Sequence, residues 1–184
     1  MDLTNLPDNL PVPKDNGECD HLTNALLPNL ELPLTSGDTL DLREPGPCVI
    51  YIYPMTARPG IPIPDGWDSI PGARGCTPQS CSFRDHHQEL QTLGYEVYGL
   101  SAQSSDYQQE AKQRLHLPFE LISDPGLQLA RALKLPTFTV EGKALYCRLT
   151  LIIESGAIVK HFWPVFPPDR SADKVISFLK AYKS

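Results

Sequence analysis

Residues 148–162 read RLTLIIESGAIVKHF, and no other stretch indicates more about the fold. Two runs rich in β-branched and aromatic residues flank the turn sequence ESG, so strands are predicted at 148–153 and 157–162. Apolar residues then recur at helical spacing over 171–182, which predicts a helix. The chain should therefore end in a β-hairpin followed by a helix.

The segments before this hairpin alternate between strand and helix patterns. The run CVIYIY at 48–53 and the segment 96–100 are typical of buried strands, and LELPLTSGDTLDL at 30–42 has the alternation of a short hairpin. Helices are predicted at 77–93, 105–115 and 127–133. This order predicts an α/β sandwich, in which helices flank both faces of a central mixed β-sheet.

The 184 residues have room for one domain with a single large core. We expect that domain over residues 26–184, preceded by a polar N-terminal extension at 1–25. Residues 54–75 contain five prolines, too many for a helix or a central strand. They are predicted to form a long inserted loop, and a loop of this length inside a compact domain is often functional.

Charge and hydropathy exclude several classes of function. A net charge of −6 offers no basic surface for nucleic acid or an anionic membrane. No apolar run approaches the ~20 residues of a membrane helix, and the N-terminus lacks the pattern of a signal peptide. We therefore expect a cytoplasmic protein without nucleic-acid or membrane partners.

Two of the five cysteines, Cys76 and Cys81, stand apart because they lie at the predicted start of a helix, in GCTPQSCSFRD. The full set fits neither a secreted disulfide scaffold nor the paired spacing of zinc sites. At a helix N-terminus, free backbone N–H groups and the helix dipole favour a thiolate over a thiol. Cys76 is therefore a candidate nucleophile.

An intact helix would hold the two cysteines too far apart to pair. At a rise of ~1.5 Å per residue, Cα atoms five positions apart are separated by ~8.6 Å, whereas a disulfide needs them within about 7 Å. Small polar residues and Pro78 around Cys76 suit a helix start of marginal stability. The pair therefore suggests a redox switch in which the first turns unwind before the sulfurs join.

The same stretch, extended to GCTPQSCSFRDHHQEL, resembles the active-site helix of the peroxiredoxins of the AhpC/TSA redoxin family. The four residues between the cysteines are similar to the PrxQ or bacterioferritin-comigratory-protein type. Other matching segments, in chain order, are LELPLTSGDTLDL, VIYIYP, VYGLSAQ, LPFELISDPGLQLARAL and RLTLIIESGAIVKHF, the last similar to the strand pair that presents the family's arginine. The resemblance implies a thioredoxin-like sandwich over 26–184.

The resemblance also implies a function and its residues. Cys76 would be the peroxidatic cysteine, Cys81 the resolving cysteine that closes an intramolecular disulfide, and Arg148 the group that holds the thiolate and polarises the peroxide. The implied enzyme is an atypical two-cysteine peroxidase for hydrogen peroxide and organic hydroperoxides. A thioredoxin- or glutaredoxin-like donor would re-reduce it. No metal, haem or flavin is implied, and a monomer or homodimer is expected.

One position departs from the family pattern. A threonine stands three residues before the peroxidatic cysteine in the family, and here that position is Ala73. Thr56 and Thr77 are the candidates for the missing hydroxyl, with a backbone group as the other possibility. Residues from about 61 to 74 resemble an insertion, which could shape an opening for larger hydroperoxides.

Two other functions stay open at this point. A thiol–disulfide oxidoreductase acting on protein disulfides would explain the cysteines, but its Cys-x-x-Cys motif is absent. A redox-sensing module would use the same disulfide to switch a partner surface without efficient turnover. Ala73 keeps this second alternative open.

Overall fold

A computed structural model describes residues 5–184 of the protein. Its strands are β1 (Glu31–Pro33), β2 (Thr39–Asp41), β3 (Cys48–Ile52), β4 (Glu96–Ser101), β5 (Leu121–Ser123), β6 (Thr137–Val140), β7 (Lys143–Tyr146), β8 (Leu149–Glu154) and β9 (Ala157–Phe162). Its α-helices are α1 (Cys76–Asp85), α2 (His87–Thr92), α3 (Ser105–Leu115), α4 (Gln128–Leu133) and α5 (Ser171–Tyr182). Within this part of the chain, no helix is long and apolar enough to cross a membrane.

The centre of the fold is a five-stranded sheet in the order β5-β4-β3-β8-β9. β3 pairs in parallel with β4 and antiparallel with β8, while β8 and β9 form the antiparallel hairpin at one edge. The sheet is therefore mixed, as the alternation of strand and helix patterns predicts.

Side chains of β3 alternate between two hydrophobic cores, one on each face of the sheet. Val49 and Tyr51 pack against α1, α2 and α5, while Ile50 and Ile52 pack against α4 and the β1–β2 hairpin. Every residue of β3 is buried because both faces are covered. The predicted sandwich is confirmed, and it holds the start of α1 beside the ends of β3 and β8.

The predicted elements and the observed ones differ in three places. The helix predicted over 77–93 is two helices, because the chain leaves the helical conformation at His86. The ring of His86 makes a hydrogen bond to the carbonyl of Ser82. Strand β5 is only three residues long and was not predicted. The β6–β7 hairpin was also missed, although Glu141 and Gly142 both have positive φ, as a tight two-residue turn requires.

The proline-rich loop at 54–75 is not structureless. It contains a 3₁₀ helix, Trp67–Ser69, and a small core in which Trp67 and Ala73 pack against Leu145 of β7. The rings of Trp67 and Phe138 have their centroids 6.0 Å apart. The apolar residues between the prolines therefore fix the loop against the β6–β7 hairpin.

The second half of the predicted N-terminal extension packs against the sheet. Cys19 and Leu22 are fully buried, and the backbone N–H of Asn24 donates to the carbonyl of Ile158 in β9 at 2.8 Å. Residues 1–4 of the predicted extension lie outside the described residues. Cys19 faces the core.

Candidate active site

Cys76 is the first residue of α1 and follows Gly75, whose φ of +107° is readily adopted only by glycine. Pro78 lies in the first turn, where its missing N–H would have no helical partner in any case. The Cys76 side chain is only 4% exposed. Its sulfur therefore lies at the positive end of a helix, largely shielded from water.

Gly75 is enclosed by segments from both ends of the chain. A Cβ atom at this position would lie 2.3 Å from Cγ of Pro168 and 2.9 Å from Cδ2 of Leu6. Pro168 begins the 3₁₀ helix that leads into α5. The turn before Cys76 is thus packed so tightly that no side chain fits.

Arg148 brings a buried positive charge to the sulfur. Its Nη2 lies 3.1 Å from Sγ of Cys76 and also donates to the carbonyls of Ala73 and Arg74, at 3.0 and 3.2 Å. Its Nε donates to the carbonyl of Gly72 at 3.2 Å. Arg148 is 2% exposed, and these contacts include no carboxylate. A buried cation is costly without an anion, so the guanidinium depends on these neutral acceptors and on the sulfur of Cys76.

A chain of polar side chains fixes the guanidinium from the other side. Gln79 is fully buried, accepts a hydrogen bond from Nη1 of Arg148 and donates to Oγ of Ser171 at 3.3 Å. Ser171 Oγ lies 3.3 Å from Oγ1 of Thr150. Sequence reasoning missed this row of hydrogen-bonded side chains. The available signal was a glutamine one turn after Cys76, on the buried face of the same helix.

Cys81 lies in the same continuous helix, and both cysteines are free thiols. Burial raises the pKa of the Cys81 thiol, and the nearby Arg84 only partly opposes this. Cys81 is therefore protonated at neutral pH while the helix is intact. Cys76 and Cys81 can join only after the first turns of α1 unwind.

A small opening of about 20 Å³ reaches Cys76, and it is large enough for about one water-sized molecule. Its wall includes Thr77 from α1 and, from the proline-rich loop, Met55, Ala57, Ile63 and Trp67. The inserted segment therefore forms one side of the approach to the sulfur.

The two candidate threonines are placed differently. Thr77 lines the opening beside Cys76, whereas Thr56 donates from Oγ1 to Oε1 of Gln103 at 3.1 Å and does not line it. Ala73, at the position of the family threonine, contributes its carbonyl oxygen, which lies 3.7 Å from Sγ of Cys76.

The remaining cysteines lack these features. Burial raises the pKa of Cys19, Cys48 and Cys147 to about 12 each. Such groups stay as thiols at neutral pH and react slowly. Of the five cysteines, only Cys76 both lies at the start of an α-helix and contacts Arg148.

A family model described as "AhpC/TSA family" matches residues 69–162, a span that includes Cys76, Cys81 and Arg148. The chain belongs to the AhpC/TSA family. Among curated AhpC/TSA-like relatives, chloroplastic peroxiredoxin Q of Suaeda salsa is 29% identical over 136 residues, covering 73% of this chain and 56% of the relative. Peroxiredoxin bcp1 of Schizosaccharomyces pombe is 32% identical over 111 residues, covering 59% and 49%. The chain thus spans about half the length of these relatives.

Several solved structures share the fold of this chain. Peroxidoxin BcpB from Mycobacterium tuberculosis matches with a TM-score of 0.70 at 24% identity, covering 88% of this chain and 98% of that protein. Xanthomonas campestris peroxiredoxin Q matches with a TM-score of 0.66 at 24% identity, covering 95% and 99%. These structures confirm the predicted thioredoxin-like fold, and the relative named peroxiredoxin Q confirms the resemblance to the PrxQ type.

Proposed function

We propose that this protein is a thiol-dependent peroxidase that reduces hydrogen peroxide and organic hydroperoxides at Cys76. One observation carries the proposal: the buried Arg148 has its Nη2 3.1 Å from the Cys76 sulfur and no carboxylate among its contacts. Membership of the AhpC/TSA family and the peroxiredoxin relatives support the same reaction.

In the first step, the Cys76 thiolate attacks the terminal oxygen of the peroxide. A sulfur–oxygen bond forms as the oxygen–oxygen bond breaks, and the leaving oxygen takes a proton to become water or an alcohol. Arg148 stabilises the thiolate and the charge that develops on the leaving oxygen. Thr77, which lines the opening, is the better placed of the two threonines to bond the peroxide. Cys76 is left as a sulfenic acid.

In the second step, Cys81 attacks the sulfenic sulfur, a disulfide forms and water leaves. The first turns of α1 must unwind for this, because the intact helix holds the two Cα atoms too far apart. Unwinding also exposes Cys81 to solvent, which removes the burial that raises its pKa. Helix opening and activation of the second thiol are thus the same event.

The disulfide would then be reduced by a thioredoxin- or glutaredoxin-like donor through thiol exchange. We assign these steps to a domain over 26–184, with residues 1–25 as its N-terminal extension. A monomer or a homodimer would serve the chemistry equally well. The cytoplasmic location stays a prediction, and the plant relatives are named as chloroplastic proteins.

Replacing Cys81 by serine is expected to stop the reaction after its first step. The Cys81→Ser variant should reduce one peroxide per protein and then gain the mass of a single oxygen atom, because no second thiol can displace it. Intact mass measured after one equivalent of hydrogen peroxide checks this. The matched control is Cys147→Ser, which removes a half-buried thiol outside α1 and should still form the disulfide. A Cys81→Ser protein that forms an internal disulfide would contradict the assignment.

Sustained turnover separates the peroxidase from the redox-sensing alternative. With thioredoxin, its reductase and excess peroxide, the wild-type protein should consume peroxide continuously. A sensor would consume one equivalent and stop. A thiol–disulfide oxidoreductase would reduce an added protein disulfide faster than it reduces peroxide.

A further inference from the structure

The first residues that the structure describes lie along the turn that leads into α1. Cδ2 of Leu6 is 2.9 Å from the position that a Cβ atom would take at Gly75, and Cγ of Pro13 is 3.6 Å from the corresponding position at Gly72. Both contacts are made by apolar side chains, and Leu6 is partly buried. We call residues 6–13 the N-terminal strap, since they span this turn from one end to the other.

The strap is stiff and is anchored to the rest of the fold. Three of its eight residues are prolines, and each fixes a backbone φ at about −65°. Just after the strap, Oδ1 of Asn16 accepts a hydrogen bond from Nε1 of Trp163 at 3.3 Å, and Cys19 is fully buried. Because its C-terminal end is tied to the core in this way, the strap presents Leu6 to Gly75 as a preformed contact.

The turn beneath the strap supplies hydrogen-bond acceptors to Arg148. The carbonyls of Gly72, Ala73 and Arg74 accept from its guanidinium at 3.0–3.2 Å. Gly72 and Gly75, at the two ends of the turn, have φ values of +78° and +107°. Glycine has the greatest conformational freedom of all residues, so this turn depends on packing from outside to keep one conformation. The strap supplies part of that packing at both ends.

The contact of Leu6 with Gly75 belongs to only one of the two states of α1. Cys76 must leave its place at the helix start to reach Cys81, and Gly75 moves with it because the two residues are bonded. The Leu6 side chain then loses its partner. A contact that is made in one of two states shifts the equilibrium toward that state. The strap therefore opposes the unwinding of the helix start.

We propose that Leu6 is a positioning residue: it holds Gly75 and Cys76 in the folded arrangement that reacts with peroxide, and it thereby slows the unwinding that closes the disulfide. The inference rests on the proposed function and adds a control on the lifetime of the Cys76 sulfenic acid. A second peroxide that meets this acid transfers one oxygen atom to it, giving a sulfinic acid and water or an alcohol. Leu6 thus sets how the sulfenic acid is divided between disulfide and sulfinic acid.

The rate of disulfide formation in Leu6→Ala tests the inference. Reduced protein is mixed with hydrogen peroxide, quenched in acid at intervals and weighed by mass spectrometry, which separates sulfenic acid, disulfide and sulfinic acid. Disulfide formation should be about tenfold faster in the variant, because truncating a packed leucine removes a contact that only the folded state makes. The share of sulfinic acid at high peroxide should fall accordingly, while sulfenic acid should form at the wild-type rate.

Two further variants separate this role from a general defect. Leu6→Met keeps an apolar side chain of similar volume and should restore the wild-type rate of disulfide formation. Val12→Ala shortens a side chain of the same strap that is 61% exposed, and it should change neither step. A Leu6→Ala protein that forms the disulfide at the wild-type rate, or more slowly, would overturn the inference.

Hydrogen exchange tests the strap without any peroxide chemistry. In the reduced protein, the backbone amides of residues 76–81 should exchange about tenfold faster in Leu6→Ala than in wild type, because their exchange reports local opening of the helix start. Equal exchange rates refute the role of Leu6, whether or not wild type consumes peroxide. Faster exchange in a protein that consumes no peroxide supports the role of the strap and refutes the proposed function alone.

Discussion

Arg148→Gln is expected to slow the reaction of the reduced protein with hydrogen peroxide by about 10²–10³-fold, the loss typical when one preorganised donor to a developing charge is removed. Arg148 Nη2 lies 3.1 Å from the Cys76 sulfur, and glutamine keeps a hydrogen-bonding amide but no charge. Both the thiolate and the leaving oxygen would lose stabilisation. Stopped-flow measurement of thiol oxidation, at several peroxide concentrations, gives the second-order rate constant.

Two companion variants make the Arg148 result interpretable. Arg170→Gln removes an arginine whose side chain is 68% exposed in the 3₁₀ helix before α5, and it should react at the wild-type rate. Arg148→Lys keeps the charge without the planar fork and should fall between wild type and Arg148→Gln. Thermal unfolding is measured in parallel, because Arg148 also bonds three backbone carbonyls. A folded Arg148→Gln protein that reacts at the wild-type rate would refute the role of the guanidinium.

Gly75→Ala is expected to lower the free energy of unfolding by about 3 kcal/mol or more. Strain of a side chain at positive φ and overpacking of a filled site each cost about 1–3 kcal/mol, and both apply here. The added Cβ would meet Pro168 and Leu6 at distances shorter than any normal contact. Relief of that clash would displace the start of α1, so the reaction with peroxide should slow as well. Urea denaturation checks the stability, and stopped-flow oxidation checks the rate.

Gly142→Ala is the control for Gly75→Ala. Gly142 also has positive φ, +74°, but nothing lies within 4 Å of its hypothetical Cβ. This variant carries the strain without the overlap, and it should cost about 1–2 kcal/mol and leave the peroxide reaction unaffected. If the two variants unfold at the same urea concentration, the tight packing around Gly75 is not what holds the start of α1.

Sequence reasoning predicted the fold best where burial imposes a simple period. The continuous apolar run of β3, the hairpin of β8 and β9 and the amphipathic α5 were all recognised, since each has a buried face that the sequence pattern records. β5 is too short to show a period. β6 alternates only between exposed and half-buried residues, because it pairs with β7 outside the central sheet.

For the candidate site, too, sequence reasoning found the residues that have a local pattern and missed those that depend on tertiary packing. Cys76 and Cys81 are recognisable from the start of α1, and resemblance to the peroxiredoxins pointed to Arg148, which folding brings to Cys76 across 72 positions. Gln79 and Ser171 were missed because their contact depends on how α1 packs against α5. That packing is a property of the assembled fold and leaves no local pattern in the sequence.

The proline-rich loop shows the difference between local and tertiary information. Its prolines exclude regular secondary structure, and on that basis a long inserted loop is predicted. Trp67 is nevertheless buried against β7, because apolar residues between prolines can pack without forming a helix or strand. This contact turns the inserted segment into a wall of the approach to Cys76.

Peroxide titration of the reduced protein tests the central claim most directly, with free thiols and intact mass measured after each addition. The account predicts that wild type loses two thiols per peroxide, that peptide mapping joins Cys76 to Cys81, and that Cys76→Ser loses none. Cys19, Cys48 and Cys147 should stay free throughout. A Cys76→Ser protein that loses thiols as fast as wild type would show that the arginine-bound sulfur at the start of α1 is not the group that reacts.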